Sequence, residues 1–458
     1  MANLTTLLLF LLVLCHGVLA TTNGHHEGDE EDRPSRSSTS SSSKLFLMHD
    51  SKRVIKTDAG EMRVLKSHSG TGRINDRHMH IGFITMEPKS LFIPHYLDSN
   101  FIIFIRRGEA KLGFIYDDEL AERRLKTGDV YVIPAGTAFY LVNTGEGQRL
   151  HIICSIDPST NSGEHIFQSF LIGGGANSQS VLSGFEPAIL EAAFNESRTL
   201  VEKILGKELD PIVYVGDAHA PSLWTKFLQL KREEKVQHLK NMVHDKEEEK
   251  ETSWSWRKLL ANVLGMVNNK KPEKKDSAGS PDSYNLYDKK PDFQNAYGWS
   301  KALDGDQYHP LREVDIGIFH VNLTAGSMMA PHVNPRAKEY GIVLRGHGEI
   351  QIVFPNGTNA MKSEIREGDV FVVPRYFPFC QIASRNGALE FFGFSTSARE
   401  NKPQFLVGAA SLLRTMLSPE LAAALGVSLD RLRRVAYAQP EALMMPSTWA
   451  APPHSYAF

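Results

Sequence analysis

Two long segments of the sequence repeat each other, and this repeat limits the fold more than any other feature. IPHYLDSN, starting at Ile93, returns as APHVNPRA at Ala330, and GDVYVIPAGTAF at Gly128 returns as GDVFVVPRYFPF at Gly368. Further on, QSFLIGG around Phe170 matches PQFLVGA in the second half. The motifs recur in the same order at an offset near 235 to 240 residues, which chance explains poorly. The chain therefore contains two copies of one structural unit.

Each copy has the pattern of short strands. Apolar, β-branched runs alternate with Gly and Pro, which is typical of strands joined by tight turns. We predict a mostly β fold with two antiparallel jelly-roll barrels. The side chains expected to fill the barrels alternate along the strands, and they are Ile102, Phe104, Val130, Val132, Val343, Phe371 and Val373.

A helical pattern follows each strand-rich copy. Apolar residues recur at i, i+3, i+4 and i+7 within residues 187–205 and 418–434. Each barrel is therefore expected to carry a C-terminal α-helical extension with one apolar face. Another copy of the chain can cover such a face, so the pattern predicts a homo-oligomer formed through the helical extensions.

The first residues carry a targeting pattern. Residues 1–20 form a predicted secretory signal peptide, which ends in the small residue Ala20. Its apolar run is too short to span a membrane. Residues 21–44 are acidic and then rich in Ser, which predicts a disordered polar tail. Later apolar runs are also short, and no membrane association is expected.

The remaining chain divides by composition. Barrel domains with their helical extensions are predicted at residues 45–230 and 293–436. Between them, residues 231–292 are charged and rich in Pro, Gly and Ser, which indicates a linker. Residues 437–458 are expected to form a C-terminal tail.

Charge and cysteine content exclude two classes of protein. The formal net charge is −2, and this balance argues against nucleic acid as a partner. Beyond the predicted signal peptide the only cysteines are Cys154 and Cys380, too few for a disulfide scaffold. We expect two separate buried thiols.

Residues 326–380 carry part of a metal-binding pattern. His332 and Asn334 are two apart, so both face the same side of a strand, and Glu339 follows. The stretch resembles the paired motifs of the cupin superfamily, whose barrels are double-stranded β-helices. The resemblance implies a ligand set of three histidines and one glutamate. His332 and Glu339 stand at their positions, but Asn334 and Phe379 replace the other two histidines.

The first copy retains less of this pattern. His95 holds the first histidine position, whereas Leu97 and Phe139 hold the next histidine position and the last one. A catalytic metal typically needs three protein ligands, so no metal cofactor is expected in the first barrel. His95 is expected to line the cavity or its rim.

One metal hypothesis stays open for the second copy. If a bulge or the bend at Pro378 turns Cys380 inward, His332 and Cys380 would favour copper or zinc. The alternative is a packed histidine and a buried thiol. Neighbours on a regular strand face opposite sides, so Phe379 and Cys380 cannot both point into the barrel.

The whole arrangement resembles the vicilin-type (7S) seed storage globulins over about residues 44–432. APHVNPRAKEYGIVLRG, VFPNGT and GDVFVVPRYFPFCQIAS carry the resemblance. It implies a trimer, delivery through the secretory pathway to protein storage vacuoles, and a nutrient reservoir without catalysis. An extracellular location stays open as the alternative. Two other classes stay open. An oxalate-type bicupin enzyme needs a complete ligand set in at least one barrel, and a small-ligand binding module would use a barrel cavity without metal.

Three sequons lie beyond the predicted signal peptide. They start at Asn195, Asn322 and Asn356. Asn356 lies in the predicted hairpin turn PNG, which favours exposure and N-glycosylation. Asn322 follows a strand-like run and is expected to be less accessible.

Overall fold

A computed structural model describes residues 43–66, 78–157, 167–173, 180–205, 210–215, 280–399 and 401–448. These residues form a mostly β structure with two barrels, as the repeat predicts. The predicted signal peptide, nearly all of the predicted polar tail, and the predicted linker as far as residue 279 lie outside the described residues. No helix in the described ranges combines the length and the apolar character needed to cross a membrane.

The first barrel is built from two sheets that enclose an apolar core. One sheet has the order β1-β2-β3-β10-β5-β8, and the other has the order β11-β4-β9-β6-β7, with β12 beside β4. The strands of both sheets pair antiparallel, as expected for a jelly roll. The strands are β1 (Ser51–Thr57), β2 (Gly60–Leu65), β3 (His80–Met86), β4 (Ser90–Leu97), β5 (Asn100–Arg107), β6 (Glu109–Tyr116), β7 (Glu119–Lys126), β8 (Asp129–Ile133), β9 (Phe139–Asn143), β10 (Leu150–Asp157), β11 (Ser169–Leu171) and β12 (Ile212–Tyr214).

The second barrel repeats this plan with its sheets joined. Its strands run in the order β14-β15-β16-β23-β19-β22-β17-β25, with β20 and β21 beside β19, and with β18 between β22 and β24. A short strand, β13 (Tyr284–Asn285), precedes them along the chain. The strands are β14 (Phe293–Asn295), β15 (Gly298–Leu303), β16 (Gly317–Leu323), β17 (Ser327–Met329), β18 (His332–Val333), β19 (Glu339–Val353), β20 (Asn359–Arg366), β21 (Val370–Val373), β22 (Phe379–Ala383), β23 (Leu389–Ser395), β24 (Gln404–Phe405) and β25 (Met444–Pro446).

A bend in β19 explains why the second barrel forms one continuous sheet. The first part of this 15-residue strand pairs with β21 and β23, and its second part pairs with β20 and β22. Gly346 lies at the bend with φ +84°, close to the carbonyl oxygen of Ala388. In the first barrel the equivalent Gly108, with φ +98°, separates β5 from β6. Glycine adopts this left-handed conformation without a steric cost, so it marks the bend in both copies.

The predicted helical extensions are present, but each is divided. The first contains α2 (Pro187–Phe194) and α3 (Arg198–Leu205), and the second contains α5 (Leu412–Thr415), α6 (Pro419–Ala424) and α7 (Leu429–Ala438). Asn195 ends α2 in the left-handed conformation. Ser418 and Ser428 begin α6 and α7 as N-caps. Two further helices lie elsewhere, α1 (Ser43–Phe46) and α4 (His309–Val314).

The prediction of which side chains fill the first barrel is wrong. Ile102, Phe104, Val130 and Val132 face the second barrel in a shared core, and the alternate residues fill the first barrel, among them Phe101, Ile103 and Ile105. Rings of Phe104 and Phe392 stack across this interface with centroids 4.2 Å apart. Both faces of β5 and β8 are buried and apolar, so alternation alone could not assign them. In the second barrel, Val343, Phe371 and Val373 do face the interior core.

Parts of the predicted linker and of the predicted C-terminal tail pair with the barrels. The last part of the predicted linker is described, and its strand β13 pairs with β8 of the first barrel. Within the predicted C-terminal tail, β25 pairs with β17 of the second barrel. Both segments are bound by backbone hydrogen bonds and by the apolar contacts of Leu286 and Met444.

Candidate functional site

The first barrel holds His95 in an aromatic setting. His95 lies on β4 opposite Phe139 of β9, and its ring centroid is 4.3 Å from that of Phe139 and 4.2 Å from that of Phe92. Its Nδ1 is 2.7 Å from the carbonyl oxygen of Ile93. Burial lowers the pKa of His95 to about 4, because the low-dielectric interior disfavours the imidazolium.

The second barrel repeats this arrangement around His332. His332 lies opposite Phe379, with ring centroids 4.1 Å apart, and Phe405 of β24 stacks on it at 5.1 Å. Its Nδ1 is 2.7 Å from the carbonyl oxygen of Ala330, again two residues earlier. Burial lowers the pKa of His332 to about 4 as well.

The geometry fixes the tautomer of both histidines. A carbonyl oxygen only accepts hydrogen bonds, so Nδ1 carries the proton and donates it. Nε2 then presents a lone pair, and none of the described residues bonds to it in either His95 or His332. Each barrel therefore offers one neutral imidazole acceptor surrounded by aromatic rings.

A buried carboxyl group distinguishes the second barrel. Asn334 Nδ2 donates to Glu339 Oε1 at 2.7 Å, while Asn334 Oδ1 accepts from the backbone N–H of Arg336 and of Ala337. Burial raises the pKa of Glu339 to about 7, and the bond from Asn334 opposes that shift.

The first barrel has apolar residues at the equivalent positions. Leu97 matches Asn334 in the repeat. Phe101 is equivalent to Glu339 in strand pairing, because Phe101 pairs with the last residue of β8 and Glu339 pairs with the last residue of β21. The polar residues of the motif thus form a bonded Asn–Glu pair in the second barrel only.

The structure does not bring His332 and Cys380 together. On β22, Phe379 is buried against His332, and Cys380 is the next residue. Cys380 pairs with Gln351, and its pKa is raised by burial and by the nearby Glu349 carboxylate. It therefore lies on the opposite face of the strand, without the bulge that the metal hypothesis requires. The described residues contain no group of three or more His, Cys, Asp or Glu side chains arranged to hold a metal.

The two thiols are separate, as predicted, but the prediction that both are buried is wrong for Cys380, which is only half-buried. Cys154 and Cys380 are both free, and Cys154 is fully buried in the core of the first barrel. Burial raises the pKa of the Cys154 thiol. A neutral, inaccessible thiol of this kind is unreactive.

The three sequons differ in exposure. Asn195 is exposed between α2 and α3, and Asn356 is exposed at the turn between β19 and β20. Asn356 Oδ1 accepts a hydrogen bond from the backbone N–H of Thr358, which fixes the turn. Asn322 is half-buried within β16, where it pairs with Trp299 and Glu390.

Gln381 and His320 are among the buried polar groups that sequence reasoning missed. Gln381 extends into the core side of β22, and none of the described residues bonds to its Oε1. Near the interface of the barrels, His320 Nε2 lies 2.8 Å from Glu390 Oε1. The repeat could have indicated Gln381, because Leu141 holds its position in the first barrel.

Comparison with known proteins agrees with this architecture. A family model described as Cupin matches residues 47–202 and 284–432, one match for each barrel. The vicilin of hazelnut, Corylus avellana, has the same fold, with a TM-score of 0.70 and 21% sequence identity over 88% of this chain and 99% of that structure. A vicilin of Solanum melongena gives a TM-score of 0.70 at 19% identity, covering 90% of this chain and all of that structure.

Fold and site together define a two-barrel cupin whose metal-ligand positions are incompletely filled. A vicilin-like seed storage protein of Arabidopsis thaliana is 53% identical over 424 residues, which cover 89% of this chain and 81% of that relative. The chain belongs to the vicilin-like seed storage proteins of the cupin family.

Proposed function

We propose that this protein is a non-catalytic seed storage protein that serves as an amino-acid reservoir. The observation that carries the proposal is the 53% identity to a vicilin-like seed storage protein along most of both chains. The site geometry agrees, because Phe139 and Phe379 fill the positions at which a cupin metal site needs a further histidine.

Seed physiology tests the reservoir function. Quantitative proteomics should find the protein abundant in maturing seed and strongly depleted within days of germination. A house-keeping seed protein measured in the same extracts controls for general turnover. A scarce protein that persists through germination would contradict the proposal.

Turnover assays test the absence of catalysis. The purified protein is incubated with oxalate and manganese, and oxalate loss is compared with that in a bicupin oxalate oxidase control. No turnover above background is expected, since neither barrel supplies three imidazole or carboxylate ligands at its motif positions. Robust oxalate consumption would favour the enzyme class instead.

The oligomer is a trimer that forms through the helical extensions. Large apolar side chains stay exposed on both extensions, for example Ile189 of α2 at 52% and Val435 of α7 at 62%. Contact between unlike patches of neighbouring copies closes into a ring when the rotation fits. The two patches lie on different extensions, which suits such a contact.

Sedimentation of charge variants tests the trimer. Ile189→Asp combined with Val435→Asp should shift the protein from trimer to monomer, because each buries a charge in the proposed interface. Leu120→Asp is the matched control, since Leu120 is 59% exposed near the start of β7. A double variant that sediments like the unmodified protein would exclude these faces.

The protein travels through the secretory pathway to the protein storage vacuole and is glycosylated at Asn356 and Asn195. The signal-peptide pattern of residues 1–20 and the exposure of both asparagines support this. Immunogold microscopy of seed sections and glycopeptide mass spectrometry test the two parts. Extravacuolar label, or unmodified peptides at both asparagines, would contradict them.

A second candidate function is the binding of a small ligand in the barrels. The free Nε2 lone pairs of His95 and His332, each set among aromatic rings, favour an uncharged ligand with a hydrogen-bond donor such as a phenol. Native mass spectrometry of protein purified from seed should then show a mass excess that a His95→Phe, His332→Phe variant loses. An unliganded mass from native material would rule the candidate out.

A further inference from the structure

The segment that leads into the first barrel is bound to the second barrel. We name residues 46–48 the N-terminal strap. Met48 donates its backbone N–H to the carbonyl oxygen of Val370 at 2.8 Å, and Leu47 forms an antiparallel bridge with Phe371. The ring of Phe46 is fully buried, 5.8 Å from that of Phe377. The strap thus extends β21 and adds an aromatic side chain to the core of the second barrel.

The segment that leads into the second barrel is bound to the first barrel. We name residues 280–287 the central strap. Its strand β13 pairs with β8 through Tyr284 and Val130, and Leu286 donates its backbone N–H to the carbonyl oxygen of Gly128 at 2.8 Å. Asn285 Nδ2 also donates to Asp129 Oδ1 at 2.8 Å. The central strap therefore extends β8 as the N-terminal strap extends β21.

The two straps are related by the same pseudo-symmetry as the barrels. The N-terminal strap is continuous with the first barrel but pairs antiparallel with β21 of the second barrel, and the central strap is continuous with the second barrel but pairs antiparallel with β8 of the first. Met48 of the N-terminal strap and Leu286 of the central strap both enter the core shared by the barrels. From the second barrel, the buried Lys301 Nζ donates to the carbonyl oxygens of Leu286 and Tyr287, at 3.0 Å each. Each barrel thus takes a strand from the strap of the other half of the chain, and the second barrel also holds its own strap in place through Lys301.

We infer that the straps are reciprocal docking elements, and that each half of the chain is the binding partner of the other. The surface that receives the N-terminal strap is β21 with the aromatic pocket of Phe354 and Phe377, and the surface that receives the central strap is β8 with Asp129. A chain cut anywhere within residues 216–279 therefore stays one complex without a covalent link, and losing the straps separates the halves. The stacked face between the barrels is the alternative source of adhesion.

A cleavable chain tests the inference. A recognition sequence for a site-specific protease replaces residues 245–251 in the full-length protein, and the cut product is analysed by size-exclusion chromatography and by a denaturing gel. The proposed trimer contacts would also hold halves together, so the measurement uses the Ile189→Asp, Val435→Asp background. The inference does not depend on that trimer, because these substitutions leave both straps unchanged.

The two halves should co-elute after cutting at the volume of the uncut chain. Adding Phe46→Ala and Leu286→Ala should raise the fraction of separated halves by on the order of tenfold or more, because buried aromatic and aliphatic contacts are lost. Leu120→Ala, outside both straps, should leave the cut complex intact. Separation of the cut chain with intact straps would overturn the inference.

The inference would also be overturned if the cut halves of the double strap variant stayed together. The stacked face between the barrels would then be enough to hold the halves in one complex. Asn285→Ala is a milder second variant, in case the double strap variant fails to fold. It removes only polar contacts of the central strap. Circular dichroism of each uncut variant should match that of the unmodified chain. The cut Asn285→Ala protein should dissociate more than the Leu120→Ala control and less than the double strap variant. Dissociation no greater than in the control would count against the central strap.

Discussion

His95 and His332 are alike in every contact that sets their charge. Each donates from Nδ1 to the carbonyl oxygen two residues before it and packs on a phenylalanine of the facing strand. Their ordinary pKa is 6.5, and burial lowers it to about 4 in the folded protein. The unfolded chain therefore binds protons that the folded chain refuses, so this contribution to stability is present above pH 6.5 and is lost as the pH falls towards 4.

Barrels without the two buried histidines His95 and His332 should resist acid better. Between pH 7 and pH 5, each buried histidine costs about 2 kcal/mol of folding free energy for the shift given above. The His95→Gln, His332→Gln variant should therefore lose less stability than the unmodified protein over this interval, as measured by chemical denaturation at both pH values. His80, whose pKa burial also lowers to about 4, leaves some acid sensitivity in the variant. Equal losses in the two proteins would refute a titrating role for His95 and His332.

Glu339 has the opposite effect to the two histidines on how folding stability depends on pH. Its folded pKa of about 7 lies above the ordinary 4.5, so it favours folding below pH 4.5 and loses that contribution as the pH rises towards 7. Glu339→Gln keeps an acceptor for Asn334 and removes the charge, so it should stabilise the protein at pH 8 by up to about 3 kcal/mol relative to pH 4. Denaturation curves at both pH values measure the difference. A gain independent of pH would assign the effect to packing instead.

Sequence could identify these side chains but not their roles. The repeat and the spacing of His332, Asn334 and Glu339 placed them at motif positions, and strand alternation gave two choices for Phe379 and Cys380. The register of β22 decided that choice in favour of Phe379. The unusual pKa of Glu339 depends on its burial, which no local pattern of residues encodes.

At the scale of elements, the bend in β19 makes one strand serve both sheets of the second barrel. Gly346 combines a left-handed φ with close contact to a backbone carbonyl. Sequence indicated this glycine through its match to Gly108, but not the close contact. Sequence also assigned Ile102 and Phe104 to the barrel interior, because an apolar run does not show which of two buried faces encloses which core.

Gly346→Ala should destabilise the protein by roughly 2 to 5 kcal/mol, because it adds a steric clash to the cost of the left-handed φ. Gly368→Ala is the matched control, with φ +87° and no atom within 4 Å of the added methyl group. The control should cost only about 1 to 2 kcal/mol. Urea titration of both variants measures the difference, and equal costs would show that the backbone yields around Ala388.

At the scale of the whole molecule, the two barrels share a core rather than merely sitting side by side. The stacked rings of Phe104 and Phe392 join apolar residues of both barrels in one cluster. The repeat predicts two domains, but it does not show that they share a core. The shared core arises because the outer face of each barrel's sheet is also apolar, which becomes interpretable only once the sheets are assembled.

A double-mutant cycle measures this coupling. Phe104→Ala and Phe392→Ala should show a coupling free energy of about 0.5 to 1.5 kcal/mol, as expected for a stacked aromatic pair. The pair of Phe104 and Phe354, which lie in different clusters, should be additive within about 0.5 kcal/mol. Calorimetry should also show one unfolding transition for the described fold. Two transitions with additive Phe104 and Phe392 effects would mean that the barrels unfold independently.

The reciprocal straps impose an order on folding during synthesis. The ribosome releases the N-terminal strap before the first barrel, yet its partner strand β21 emerges more than 300 residues later. The first barrel, in turn, has no strand to extend β8 until the central strap appears. Domains of a nascent chain generally fold one after another. Here neither half can reach its final form until the second barrel has left the ribosome, so Phe46, made near the beginning, is among the last side chains to be buried.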